Sequence, residues 1–156
     1  MIPVNNKRHG FTLLEVIVFI TIFSTFFVSA AYVVTVFLRV SRYNQDKILA
    51  SHYATEASEW LQGEKEQDWS IFSGNRASID GKTWCLNDTP IVWPTAAGPC
   101  SADTEYQLIG NFKREVKLTT NSASTPTQVK VEIIVFWKEG DKIYNSPITN
   151  IFSIFE

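Results

Sequence analysis

The sequence predicts an α+β protein: one long N-terminal helix, with a transmembrane half and an amphipathic half, packed on a small C-terminal antiparallel β-sheet. Three observations predict it. Between Val16 and Leu38 no side chain is ionisable except Tyr32, and roughly 20 apolar residues are enough for a helix to cross a hydrocarbon core. From Tyr43 to Leu61 the apolar residues recur largely at three- and four-residue spacing, which puts them on one helix face. From Val129 to Trp137 they alternate with their neighbours, the period of a strand with one buried side.

Composition bounds the rest. The chain has 156 residues, room for one modest domain beside the apolar segment. With 14 Lys and Arg against 16 Asp and Glu, it has no basic field to attract nucleic acid, which is not expected as a partner. Aromatic residues make up 13%, including 5 Trp and 11 Phe. That suits a packed extracytoplasmic domain and not a disordered tail.

Residues 1–10 form a short polar leader, with Lys7, Arg8 and His9 just before the apolar run. A secretory signal shares the positive start, but its apolar core is only about 7–15 residues long; here the run continues past Ser29-Ala30-Ala31. Lys7 and Arg8 favour a cytoplasmic N-terminus, while Arg39 and Arg42 on the far side weaken that inference. Residues 11–38 are the membrane-spanning stretch. Its one charge is Glu15, and an acidic side chain at the centre of a span costs on the order of 2.5–3.5 kcal/mol.

Residues 39–62 continue as an amphipathic helix. Tyr43, Ala50, Tyr53, Ala54, Ala57, Trp60 and Leu61 form its apolar face; Arg42, Asp46, Lys47, Ser51, Glu56 and Glu59 lie mostly opposite. Gly63 is the expected breaker, although 64–69 can carry another turn.

Residues 63–156 change character. Ser73-Gly74-Asn75, Asp80-Gly81, Asn87-Asp88-Thr89-Pro90 and Ala97-Gly98-Pro99 are turn chemistry, leaving Lys82 to Leu86 and Ile91 to Trp93 as short strands. Phe112, Arg114, Val116 and Leu118 alternate with Lys113, Glu115, Lys117 and Thr119, a strand whose apolar face is imperfect. After a loop from Asn121 to Thr127 comes the clearest strand, Val129 to Trp137. Glu139 to Lys142 then turns into Ile143 to Phe155, which Pro147 marks as an edge strand or two short pieces. A sheet of about three to five strands buries this alternation against the amphipathic half of the helix.

Glu15 has two readings. It is either a carboxylate that snorkels or stays protonated near the end of the span, or one that meets a charge created nearby. A cut after Gly10 would give Phe11 a positively charged α-amine, and mutual neutralisation lets both charges remain buried in a helix bundle. Gly10-Phe11-Thr12-Leu13-Leu14-Glu15-Val16, after a basic leader and before a long apolar helix, resembles the class III signal of type IV pilins and type II secretion pseudopilins. The resemblance implies cleavage between Gly10 and Phe11 by a prepilin peptidase, N-methylation of Phe11, and use of Glu15 in registering subunits during filament assembly. It implies the pilin fold, the same α+β architecture. The partners it implies are prepilin peptidase, other pilin or pseudopilin subunits and the inner, cytoplasmic membrane. The implied route runs from a single-pass precursor with a cytoplasmic N-terminus to a cell-surface pilus or a periplasmic pseudopilus.

Thr12 to Val16, followed by Glu56-Ala57-Ser58-Glu59-Trp60 and Gln67-Asp68-Trp69, looks most like V-type minor pilins and the I-type pseudopilin. Many major pilins carry a helix-loosening Gly or Pro in the apolar half, where this sequence has Ser24 and Tyr32. A minor subunit is therefore the expected role. A different class also fits the anchored architecture: an extracytoplasmic binding module that never polymerises.

Cys85 and Cys100 both lie beyond the apolar segment. Outside the cytoplasm a single disulfide is their expected state, with two free thiols as the alternative. Their spacing is unlike that of a redox-catalytic pair. His9 and His52 are the only histidines, so no multi-histidine metal site is expected, nor a catalytic triad. No other catalytic constellation or cofactor motif is visible, and an enzyme is not expected. Asn87-Asp88-Thr89 fits the glycosylation sequon. Trp60, Trp69, Trp84, Trp93 and Trp137 read either as a binding face or, more simply, as core and rim packing.

Overall fold

The protein is described from a computed structural model over residues 12–100, 108 and 111–154. The elements are helix α1 (Leu13–Gln67), a π-helical turn (Ile71–Arg76), and strands β1 (Lys82–Cys85), β2 (Phe112–Thr120), β3 (Gln128–Glu139) and β4 (Lys142–Ser153). The chain divides into two compact units, Met1–Tyr43 and Asn44–Glu156.

In the first unit α1 presents large apolar side chains on all sides and no charge between Val16 and Leu38. No Gly or Pro occurs between positions 12 and 62, so nothing local interrupts the i→i−4 ladder. Val16, Phe19, Phe23, Phe26, Phe27, Val33 and Phe37 are all exposed, and α1 is long and apolar enough to cross a membrane. Phe19, Phe23 and Phe27 stack up one face with ring centroids 5.6 and 4.6 Å apart. Four hydroxyls of this stretch are satisfied within the helix: Thr21 donates to Val18 O, Thr25 to Ile22 O, Ser29 to Thr25 O and Thr35 to Ala31 O, at 2.8–2.9 Å. A helix that satisfies its own backbone and turns these hydroxyls back onto it is compatible with hydrocarbon.

In the second unit the same helix is amphipathic. Ala50, Ala54, Ala57 and Leu61 are fully buried against a four-stranded antiparallel meander in the order β1-β2-β3-β4. Three alanines at this spacing let the helix axis approach the sheet closely. The helix runs through Gly63 to Gln67, because Gly63 has a negative φ and costs only propensity there, about 1 kcal/mol relative to Ala.

The sheet face beneath the helix is formed by Val129, Val131, Ile133, Val135 and Trp137 of β3, each 0–1% exposed. They pair with Phe112, Arg114, Val116, Leu118 and Thr120 of β2 and with Tyr144, Ser146, Ile148, Asn150 and Phe152 of β4. Burying each large apolar side chain contributes roughly 1.5–3 kcal/mol. The β3–β4 turn is the two residues Gly140-Asp141 between the pair Glu139 and Lys142, with Gly140 at φ 61°, as a Gly-first hairpin turn requires. β4 is one continuous edge strand, with Pro147 opposite Ile134.

Two local expectations change. Ile91 to Trp93 forms no strand; Pro90 and Pro94 flank it and supply no N–H to a ladder, and Trp93 packs on the helix instead. Glu56, assigned to the polar face, lies at the margin of the apolar stripe and turns to Arg114 of β2.

Candidate functional site

The sequence places the site at the start of the apolar helix. Gly10 and Phe11 lie outside the described residues. From Thr12 onward the geometry is defined. The backbone N–H of Glu15 donates to Thr12 Oγ1 at 3.3 Å and to Thr12 O at 3.1 Å. Thr12 therefore caps α1, and Glu15 occupies the third helical position. Thr-x-x-Glu before an apolar run is the capping-box signature, a signal the sequence carried and the charge-based reading of Glu15 passed over. A carboxylate in the first turn also faces the positive end of the helix dipole. Glu15 is exposed, at the head of a helical surface that carries no other charge as far as Leu38.

In Asn44–Glu156 the chemistry is structural. Arg114, the irregularity in the apolar face of β2, is fully buried. Its Nε donates to Leu86 O, and its Nη1 donates to Tyr53 O and Glu56 Oε2, each at 2.9 Å. Its backbone N–H donates to Asn87 Oδ1 at 2.7 Å. One side chain thus ties helix, sheet and the segment after β1 together. Burial lowers the proton affinity of Arg114 below the ordinary arginine value, and the hydrogen bond and charge of Glu56 oppose that shift. Keeping the guanidinium charged therefore costs stability, which Glu56 offsets in part.

Cys85 and Cys100 are joined in a disulfide, and the Cys100 N–H donates to Glu115 Oε1 at 2.9 Å. The closed loop carries Trp93 into an aromatic cluster, with Trp60 of α1 at 5.0 Å and Trp84 of β1 at 5.2 Å. Trp93 Nε1 donates to Glu64 Oε2 at 2.5 Å, and the Arg76 guanidinium sits 4.6 Å from the Trp93 ring centroid and 5.3 Å from that of Trp84. Trp69 instead donates to Pro126 O, and Trp137 lies in the core. The five tryptophans thus do not form one face, and the three that meet hold the disulfide loop to the helix.

His52 is an exposed helix residue beside Tyr53. Among the described residues no three His, Cys, Asp or Glu side chains are grouped to hold a metal ion. Asn87, the sequon residue, is 6% exposed and its Nδ2 is buried.

Residues 5–31 match the family model described as prokaryotic N-terminal methylation motif, the signal of type IV pilins and pseudopilins. No curated protein and no solved structure matches the chain.

Proposed function

We propose that the protein is a structural subunit of a type IV pilus or a type II secretion pseudopilus, in a minor role, made as a membrane-anchored precursor. The observation that carries this reading is the methylation motif over residues 5–31, set at the head of a helix whose apolar surface is left uncovered. Such a surface needs a bilayer before assembly and neighbouring helices after it. Prepilin peptidase cuts between Gly10 and Phe11, and Phe11 is then N-methylated. The new amine, still cationic after methylation, pairs with Glu15 of a neighbouring subunit and fixes their axial stagger. This arrangement turns a costly lone carboxylate into a neutralised pair. The minor role is supported by α1, whose apolar half has no Gly or Pro and needs no partial melting to pack.

The second reading is an anchored binding module that does not polymerise. The two differ at Gly10, so mass spectrometry of the mature chain from a host with the peptidase separates them. A chain beginning at methylated Phe11 is expected. An intact leader, or a start at Tyr32, overturns the assembly reading.

A further inference from the structure

We infer that the free edge of β4 is complementary to the β4 edge of a second copy of this chain, and that Pro147 keeps the two from pairing. The inference concerns the Asn44–Glu156 unit alone and does not rest on the reading of the apolar helix.

The ladder fixes which residues of β4 face that edge. The two-residue turn Gly140-Asp141 closes on the pair Glu139 and Lys142, and a turn of that length makes its closing pair hydrogen-bonded. At the other end Ile154 N donates to Thr127 O at 3.2 Å. Both bonds assign the even-numbered residues of β4 to β3. Ile143, Asn145, Pro147, Thr149 and Ile151 therefore direct their backbone groups away from the sheet. All five are exposed, and among the described residues no hydrogen bond reaches those outward groups. A proline at one of these positions costs β3 no bond.

The edge is complementary to itself. An antiparallel pair with its two-fold axis at Pro147 sets Ile143 opposite Ile151 of the second copy and Asn145 opposite its Thr149, and the same pairs recur beyond the axis. Ile143 and Ile151 are 63% and 61% exposed; opposite one another on one face they would shield each other from water. Asn145 and Thr149 add side chains that can hydrogen-bond. An unpaired strand of 12 residues is a ready template for such pairing.

Pro147 occupies the axis of that register. It has no N–H to donate, and its ring fills the space from which an N–H would reach the facing carbonyl. Sliding the copies by one pair places each proline opposite Ile151 of the other, inside the ladder again. Registers that avoid proline join only a few residues and part Ile143 from Ile151. The second copy is thus matched by side chains and refused by one backbone position. A closed two-fold pair would also withhold chains from the filament proposed above.

The test is amide hydrogen exchange in the full chain, in detergent with micelles in large excess over protein, at low and high chain concentration. In the wild type the amides of Ile143, Asn145, Thr149 and Ile151 should exchange rapidly at both concentrations, while those of Tyr144, Ser146, Ile148 and Asn150 are protected. Pro147→Val supplies the missing N–H. At high concentration its edge amides should slow about tenfold, the protection given by a pair that holds roughly nine chains in ten. Pro147→Val/Thr149→Pro, which moves the proline to the next outward position, should restore rapid exchange at Ile143, Asn145 and Ile151. Edge amides that slow with concentration in the wild type, or that stay rapid at every concentration in Pro147→Val, overturn the inference; so does slowing that survives the move of the proline. Should valine disturb β4, seen as lost protection at the even-numbered residues, Pro147→Ala carries the same test with the same outcomes.

Discussion

Thr12 and Glu15 are joined at the start of α1, the Glu15 N–H donating to the Thr12 hydroxyl at 3.3 Å. That bond uses the Glu15 backbone, so the proposed intermolecular role of the Glu15 carboxylate can be tested apart from the cap. Substitution by glutamine keeps a side chain suited to the capping box and removes the charge; alanine removes both. If charge pairing governs assembly, Glu15→Gln and Glu15→Ala are both processed at Gly10, and both enter filaments at least tenfold less than wild type. Leaving a buried amine uncompensated costs on the order of 3–5 kcal/mol. Quantitative blotting of sheared filaments against membrane pools reads this. Normal incorporation of the glutamine variant would confine Glu15 to the capping box that Thr12 heads.

The buried guanidinium of Arg114 gives a second prediction. Arg114→Ala leaves Leu86 O and Tyr53 O without their donor and opens a cavity, so a loss of about 3–5 kcal/mol is expected. Arg114→Met fills the space and removes the desolvated charge, and should cost less than alanine. Glu56 is 41% exposed at its side chain, so Glu56→Gln should cost no more than about 1 kcal/mol. The measurement is thermal unfolding of each full-length variant in one detergent. Equal losses for alanine and methionine would show that packing at this site is unimportant.

The Cys85–Cys100 pair closes a loop with a sequence separation of 15, which the chain-entropy account values at about 3 kcal/mol. The double serine variant should lose stability of that order. It should also loosen Trp93 from Trp60 and Trp84, because the disulfide anchors the loop that carries Trp93. A lowered unfolding temperature together with red-shifted tryptophan emission is expected; an unchanged spectrum would mean that the Trp93–Glu64 hydrogen bond and the Arg76 stack hold the loop unaided.

The parts of this fold that were legible are those written in local periodicity. Val129 to Trp137 alternates because one face is buried, and Ala50, Ala54, Ala57 and Leu61 recur because one stripe faces the sheet. Arg114 appeared only as a flaw in an apolar pattern, since its partners Tyr53 and Glu56 are 61 and 58 residues away and no spacing rule reaches them. Separation in sequence likewise hid the inward turn of Glu56 and the meeting of Trp93 with Trp60. At the candidate site the motif from Gly10 to Val16 was legible as the signal that the methylation-motif model matches over residues 5–31, while the Thr12 cap was not, because in an apolar helix the charge of Glu15 outweighs its Thr-x-x-Glu spacing.

Asn87 supplies the last prediction. Asn87-Asp88-Thr89 satisfies the sequon, and glycan transfer would require Nδ2. In the fold that nitrogen is buried, while Oδ1 accepts from the Arg114 backbone at 2.7 Å, so the amide plane is held and its reactive atom faces protein. Expression in a glycosylation-competent host should therefore give the folded chain with no added mass at Asn87. Asn87→Ala should lower stability by about 1–3 kcal/mol, the cost of leaving the buried Arg114 N–H without an acceptor. Asn87→Asp keeps an acceptor oxygen and should retain more stability than alanine at neutral pH. Intact-mass analysis and unfolding of the two variants check both parts; a glycan on folded protein would mean that the segment after β1 opens far enough to release Asn87 from Arg114.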